Sequence, residues 1–565
     1  LKNFPQSGMI VLNEKNTSLA VMLSGCATVS FSVVYFTAGR QYRTSRVVGC
    51  VTILPHLFVK NLDAVARQNS MTSIFSGKSD LQSMQKEGRN LLRLAGPILT
   101  AHLAQQALAF TDTVMAGRVG SADLAGVAVG ASLWIPISLF LYGVLLAVTP
   151  MVAQLHGAGR TEEVGPLTRR GIWLALPMVL MAIFCLRHAD GVFVLMDVVP
   201  QVASIAGRYL RAIVWGLPAA AVFFLLRNLS EGMGLVRPSM LIGLASLPVN
   251  VVSNYIFIYG KLGFPALGGV GCGYASAVTL WFMCACMFGT VVRGRLYKDT
   301  HFFDLRRSCG KEGAGQILRL GFPIGCSLLV ESSVFALIAL FLAPLGAIVV
   351  ASHQITLNYS ATVFMIPLSI SSAITIRIGH AIGADSPASA RLTARTGLWM
   401  NMIVAAVTAV CTVFFAGKIA GLYTGDAKVV ALALNLFYFN ALYQVSDAYQ
   451  VGAVAALRGY KDTRIPLLLI LVAFWGIALP LGYSLSLTGI WGRPMGATGF
   501  WLSLVVGLSL AAFLLGGRLR SVQKRVDGMK VGAVDGGYPS SYGGRRTKRV
   551  PGKKTPNQGW GISEW

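Results

Sequence analysis

Three carboxylates stand in stretches that are otherwise almost free of charge: Asp112 in LAFTDTVMAG, Glu331 in LLVESSVFALIALFLAPLG and Asp447 in NALYQVSDAYQVGAVAAL. An ionised carboxylate at the centre of a membrane helix costs about 2.5–3.5 kcal/mol, so such residues face a cavity or the bundle interior. No Lys or Arg lies one helical turn from any of the three. Each acid can then be neutralised by a proton or by a bound cation, which is the chemistry of a coupling site. The competing reading is a protonated acid that hydrogen-bonds between helices. Asn250 and Asn254, in LPVNVVSNYIFIYG, share one helix face by their i, i+4 spacing. Their carbonyl oxygens suit a hard cation such as Na⁺; amide packing between helices is the alternative. Tyr443 stands one turn before Asp447 and could offer a ring face to the same cation. His353, in ASHQITLN, reads equally as a proton relay or as a packing hydrogen bond.

Other chemistry is poorly supported. The nine cysteines are scattered, and Cys284 with Cys286 makes only a CxC inside an apolar run, not a metal or redox spacing. No GxxxxGK[ST] phosphate loop occurs, nothing points to an enzyme, and no cofactor is implied.

The elements that position these acids follow from composition. The chain is 54% hydrophobic and 12% charged, far from the roughly 25% charged residues of soluble domains. Between Leu91 and Gly516 lie about twelve apolar runs long enough to cross a bilayer. In lipid they must be helices, because the backbone has to satisfy its own hydrogen bonds. The net charge of +26 is concentrated in loops and in a Gly-rich basic tail. That tail suits a cytoplasmic segment touching anionic lipid, and no fold for reading nucleic acid surrounds it.

The chain repeats itself. LRLAGPI (92–98) recurs as LRLGFPI (318–324), an offset of 226, and with it Gly120 meets Gly346. Gly159 meets Gly383 at 224, Arg237 meets Arg464 at 227, and LGGVG (267–271) meets MGATG (495–499) at 228. The expected fold is an all-α integral membrane protein, two lobes of six helices related by a parallel repeat. Roughly eighteen Lys and Arg in loops on one side, against about eight on the other, place both termini in the cytoplasm. The expected division is an amino-terminal extension and lead-in (1–90), an amino lobe (91–295), a linker (296–315), a carboxy lobe (316–518) and a tail (519–565). The apolar run 19–38 admits three readings: an extra helix, an atypical targeting segment, or upstream sequence before a start near Met71 or Met84. The last is preferred, since a polar lead precedes the first strong span. Asymmetry marks function: under the repeat Asp112 lies opposite Ile338, Glu331 opposite Gln105 and Asp447 opposite Ala220.

These residues resemble a known family. FTDTVMAG (110–117), PMVAQLHGAGR (150–160), VESSVFALIALFLAPLG (330–346), SHQITLN (352–358), RIGHAIG (377–383), YQVSDA (443–448) and LRGYKDT (457–463) are similar to motifs of the multidrug and toxic compound extrusion (MATE) transporters, in their NorM-like bacterial branch. The resemblance runs from about Leu91 to Arg525. It implies a Na⁺- or H⁺-coupled antiporter of the bacterial inner membrane, exporting cationic amphipathic drugs and dyes by alternating access and acting as a monomer. By the same resemblance Asp112 is the amino-lobe acid of proton coupling and substrate binding, with Asn250 and Asn254 beside it. Glu331 and Asp447 are the acids of the carboxy-lobe cation site, with Tyr443 as their aromatic neighbour. Some relatives carry aspartate where this chain has Asn254, a departure that bears on any amino-lobe sodium site. A flippase for lipid-linked precursors, sharing the two-lobed fold, is the first alternative, and an ion channel the second.

Overall fold

The computed structural model describes residues 9–14, 17–22, 34–36, 78–304, 312–488, 490 and 493–535. Two units separate, Leu1–Lys86 and Glu87–Trp565. In the first, β1 (Met9–Glu14), β2 (Thr17–Met22) and β3 (Val34–Phe36) form an antiparallel sheet in that order, Met9 opposite Met22 and Leu19 opposite Tyr35. The described residues of the apolar run 19–38 are therefore strand, not the helix that one reading required. Val34 and Tyr35 are of the β-branched and aromatic types that favour strands.

The second unit is helical. Its amino lobe comprises α1 (Lys78–Gly117, from Glu87 onward), α2 (Ser121–Leu146) running into α3 (Val148–Gly157), α4 (Val164–Arg187), a short α5 (Asp190–Leu195), α6 (Pro200–Ile213) running into α7 (Leu217–Gly232), α8 (Arg237–Tyr259) and α9 (Gly269–Arg293). The carboxy lobe comprises α10 (Glu312–Leu342), α11 (Ala347–Gly383), α12 (Pro387–Tyr423), α13 (Ala427–Gly459), α14 (Arg464–Leu471), a π-helical segment (Val472–Ala478), α15 (Leu479–Leu487) and α16 (Ala497–Asp535). Eleven segments are long and apolar enough to span. The twelfth is α1, whose apolar character is diluted by His102, Gln105, Gln106 and Asp112. The expected twelve spans are thus present, and the least apolar carries a candidate site residue.

Backbone detail corrects the register of the repeat. The turn after α3 places Gly159 at φ 71°, and its counterpart after α11 is Asp385 at φ 54°, not Gly383. Both turns make the same hydrogen bonds, Arg160 N to Leu155 O and Ser386 N to Ala381 O, so the offset there is 226 rather than 224. Matching residue types misled because the left-handed position, which favours Gly, is filled by Asp in the second copy.

The lobes meet over one half of their length, toward the end bearing the basic loops. There α2 and α10 cross at glycines: a Cβ on Gly143 would lie 2.6 Å from Gly325 Cα. A Cβ on Gly157 would collide with the His380 carbonyl, and one on Gly383 with the Gln154 carbonyl. Small residues permit this approach of helix backbones in a membrane. Among the described residues, hydrogen bonds, ion pairs and ring contacts between the lobes fall between this basic end and the His102–Ser369 pair (Nδ1 to Oγ, 3.1 Å).

Candidate functional site

In the amino lobe, α8 packs on α1 where Gly243 faces Ala101 and Ala104, and this closeness brings the polar face of α8 to the last turns of α1. Asp112 Oδ1 accepts from Asn250 Nδ2 at 3.1 Å and from Asn254 Nδ2 at 2.6 Å, and Oδ2 accepts from Ser276 Oγ on α9 at 2.7 Å. Asn254 Nδ2 also reaches Asn250 Oδ1 at 3.0 Å. The three residues singled out in the sequence therefore touch one another. They do so with reversed polarity: both asparagines turn donors to the acid. One amide acceptor, Asn254 Oδ1, is buried with no hydrogen-bond partner. Among the described residues every side chain bonded to Asp112 is neutral. Ser276 was missed, since one serine in an apolar helix carries no distinguishing signal. Tyr209 on α6 is near enough for the charge of Asp112 to act on its phenol.

In the carboxy lobe, Glu331 on α10 accepts from Gln450 Nε2 on α13 at 2.9 Å. Arg458, two turns beyond Gln450, interacts with it electrostatically. No cation lies one turn from Glu331 along the chain, but the fold supplies one across 127 positions. Asp447 makes no side-chain hydrogen bond or ion pair among the described residues. With Ser360, Thr408 and Gln444 it lines a cavity of about 10 Å³, room for about one water-sized particle. Such a space admits a proton, a water or a bare cation and excludes an organic drug. Tyr443 is buried, close enough for the charges of both acids to act on it, and packed edge-on against Phe335 at 6.4 Å and Trp501 at 5.8 Å. No group of three His, Cys, Asp or Glu side chains suited to a metal occurs among the described residues. A Na⁺ carried as cargo would need neutral oxygens beside the two carboxylates, and Gln444 Oε1 and Gln450 Oε1 are buried acceptors with no partner. The donor set thus fits a weakly held hard cation. His353 Nδ1 accepts from Trp501 Nε1 at 3.2 Å in a fully buried contact, which is the packing reading of that histidine.

Between these sites lies a buried ion pair. On α7, Arg227 Nε donates to Glu231 Oε1 at 2.6 Å and Nη1 to Gln105 Oε1 at 3.4 Å, both charged side chains nearly inaccessible. Breaking such a pair strands a buried charge at a cost of about 3–5 kcal/mol. Glu231→Ala is therefore expected to lower the melting temperature of detergent-solubilised protein sharply, whereas Arg391→Ala, at an ion pair on the surface, should shift it little. Equal shifts would show that the buried pair is not stabilising. Nearer the basic end, Glu87 joins the lobes: Arg377 Nε and Nη2 donate to its two oxygens at 2.9 and 2.6 Å, and Thr393 Oγ1 donates to Oε1 at 2.7 Å. Gln154 Nε2 donates to Gly459 O at 2.9 Å, and the His380 Nε2–H to Gly232 O at 2.8 Å.

A twelve-helix bundle in two repeated lobes, with Asp112 held by neutral donors in one lobe and Glu331 and Asp447 set among polar side chains and Arg458 in the other, defines a polytopic membrane transporter. The MatE family model matches residues 97–256 and 323–484, one match per lobe, and the chain belongs to this family. The second match starts 226 positions after the first, the offset that opens the repeat. Multidrug resistance protein MdtK of Edwardsiella ictaluri is 42% identical over 79% of this chain and 98% of its own length. Multidrug resistance protein PmpM of Pseudomonas aeruginosa is 43% identical over 78% of this chain and 93% of its own. Among solved structures, a multidrug resistance MATE family transporter in an outward-facing conformation matches with TM-score 0.71 at 19% identity, over 78% of this chain and 97% of that one, and shares the fold. The chain is a multi-pass membrane protein of a transporter family whose members are not enzymes.

Proposed function

We propose that the protein is a Na⁺- or H⁺-coupled antiporter that exports cationic amphipathic compounds by alternating access, in the bacterial inner membrane, with the basic end and both termini cytoplasmic. The observation that carries this reading is the pair of enclosed acid sites, Asp112 in one lobe and Glu331 with Asp447 in the other, away from the end where the lobes close. In that orientation the conformation is outward-facing. A Na⁺ entering from outside to the Glu331–Asp447 region, or a proton to Asp112, lowers the affinity for the organic cation bound in the central cleft, and this competition makes the exchange obligatory. One charge moved through 100 mV supplies about 2.3 kcal/mol before any concentration term.

The test is ethidium efflux from cells with and without Na⁺ and at imposed ΔpH, comparing wild type with Glu331→Gln and Asp447→Asn. Loss of the stimulation by Na⁺ or by ΔpH is expected in both variants. Stimulation unchanged in both would exclude the carboxy-lobe acids from coupling. A precursor flippase would be expected to line the cleft with several unpaired cations to hold a pyrophosphate; within the bundle Arg227 is paired with Glu231 and Arg458 faces Glu331.

A further inference from the structure

At the basic end of the carboxy lobe, an open surface groove of about 420 Å³ lies between the first turns of α10 and α14, lined by Gly315, Leu318, Arg319, Phe322, Pro323 and Arg464. Its chemistry is divided. Leu318 and Phe322 are 40% and 51% exposed, while Arg319 and Arg464 are exposed and make no side-chain hydrogen bond or ion pair among the described residues. Apolar surface left open beside two unneutralised guanidiniums calls for an amphiphile with a negative head. The same charges repel the organic cations of the proposed transport reaction.

The amino lobe carries the same two arginines in its copy of the repeat. Arg93 is the repeat counterpart of Arg319, and Arg237 that of Arg464. Ile98 and Val236 share a buried cluster with Ile376, against which Leu94 packs, and this brings the start of α8 near this stretch of α1. Arg93 and Arg237 are exposed, again without side-chain partners among the described residues, and Leu92 and Leu241 beside them are 58% and 60% exposed. Two arginines from different helices, kept in both copies while the coupling acids are not, mark a feature common to the lobes.

We propose that these arginine pairs are binding sites for an anionic phospholipid, one per lobe, with the phosphate held between the guanidiniums and an acyl chain along Leu318 and Phe322 in the carboxy lobe. Arginine suits a phosphate by its planar fork of donors, and basic pockets between membrane helices take such headgroups.

The test is native mass spectrometry of the full chain titrated with phosphatidylglycerol, with phosphatidylcholine and with inorganic phosphate. Phosphatidylglycerol is expected to bind more tightly than phosphatidylcholine. Arg319→Gln combined with Arg464→Gln should weaken its binding at one site about thirtyfold, at about 1 kcal/mol per arginine, and leave phosphatidylcholine unaffected. Unchanged phosphatidylglycerol binding, or an equal loss for both lipids, would overturn the proposal. So would full displacement of the lipid by inorganic phosphate, which would mark a free-anion site. A measurement on the unmodified chain stands beside the variants: in phosphatidylglycerol nanodiscs, but not in phosphatidylcholine ones, Arg319 and Arg464 should be protected from a guanidine-modifying dicarbonyl relative to the exposed Arg493. Equal modification in both lipids counts against the site.

Discussion

Asp112→Asn is expected to abolish ethidium efflux while leaving the protein inserted and as stable as wild type. The reason lies in the partners. Asn250 and Asn254 both donate to Oδ1, which an asparagine at position 112 retains, and the amide that replaces Oδ2 can donate to Ser276, whose hydroxyl reverses from donor to acceptor. All three contacts survive, and only the negative charge is lost. A hydrogen bond to a charged group is worth about 1.5–3 kcal/mol, so affinity for an organic cation should fall about tenfold or more. Efflux in everted vesicles and a melting curve in detergent together give the result. Wild-type efflux would remove Asp112 from the mechanism; a collapsed melting curve would make its role structural.

The second large effect is conformational. Gly157→Leu should stop transport without touching any acid, because the obstacle to a side chain there is the His380 backbone rather than a flexible side-chain end. Overpacking costs about 1–3 kcal/mol, which shifts a balance between two lobe arrangements roughly 5- to 160-fold. Spin labels on cysteines at Glu162 and Ser389, exposed and in different lobes, should report a longer separation in the variant. Gly157→Ala should produce a smaller shift in the same direction. An unchanged distance with normal efflux would mean that the glycine contact is not part of the closed state.

Much of the fold was legible before any coordinates. Hydropathy marked the spans and the repeat divided them, since both depend on residue types along the chain. The pairing of Asn250 with Asn254 was visible in their spacing, and both reach Asp112. What stayed hidden were contacts across lobes or between distant helices. Ser276, Gln450, Arg458 and the Glu87–Arg377 bridge look like ordinary polar residues until the helices pack. The amide polarity at Asp112 was also beyond the sequence, because asparagine carries donors and acceptors alike and the neighbouring carboxylate chooses between them. Gly159 was aligned with the wrong partner for a related reason: the repeat preserves backbone conformation more faithfully than residue type.

That fidelity locates the one residue by which two matching helices differ. The helix Arg237–Tyr259 has 23 residues, and its copy Arg464–Leu487 has 24. The loops that follow are equally long, and Gly268 and Gly496 end them at φ 59° and 57°. The extra residue therefore sits inside the copied helix, where Val472–Ala478 winds in π turns, the conformation that accommodates an insertion within an α-helix. The two halves thus differ by one residue in the middle of a membrane span. The widened turn absorbs the difference, leaving the helix ends, and the loop beyond them, where their counterparts remain.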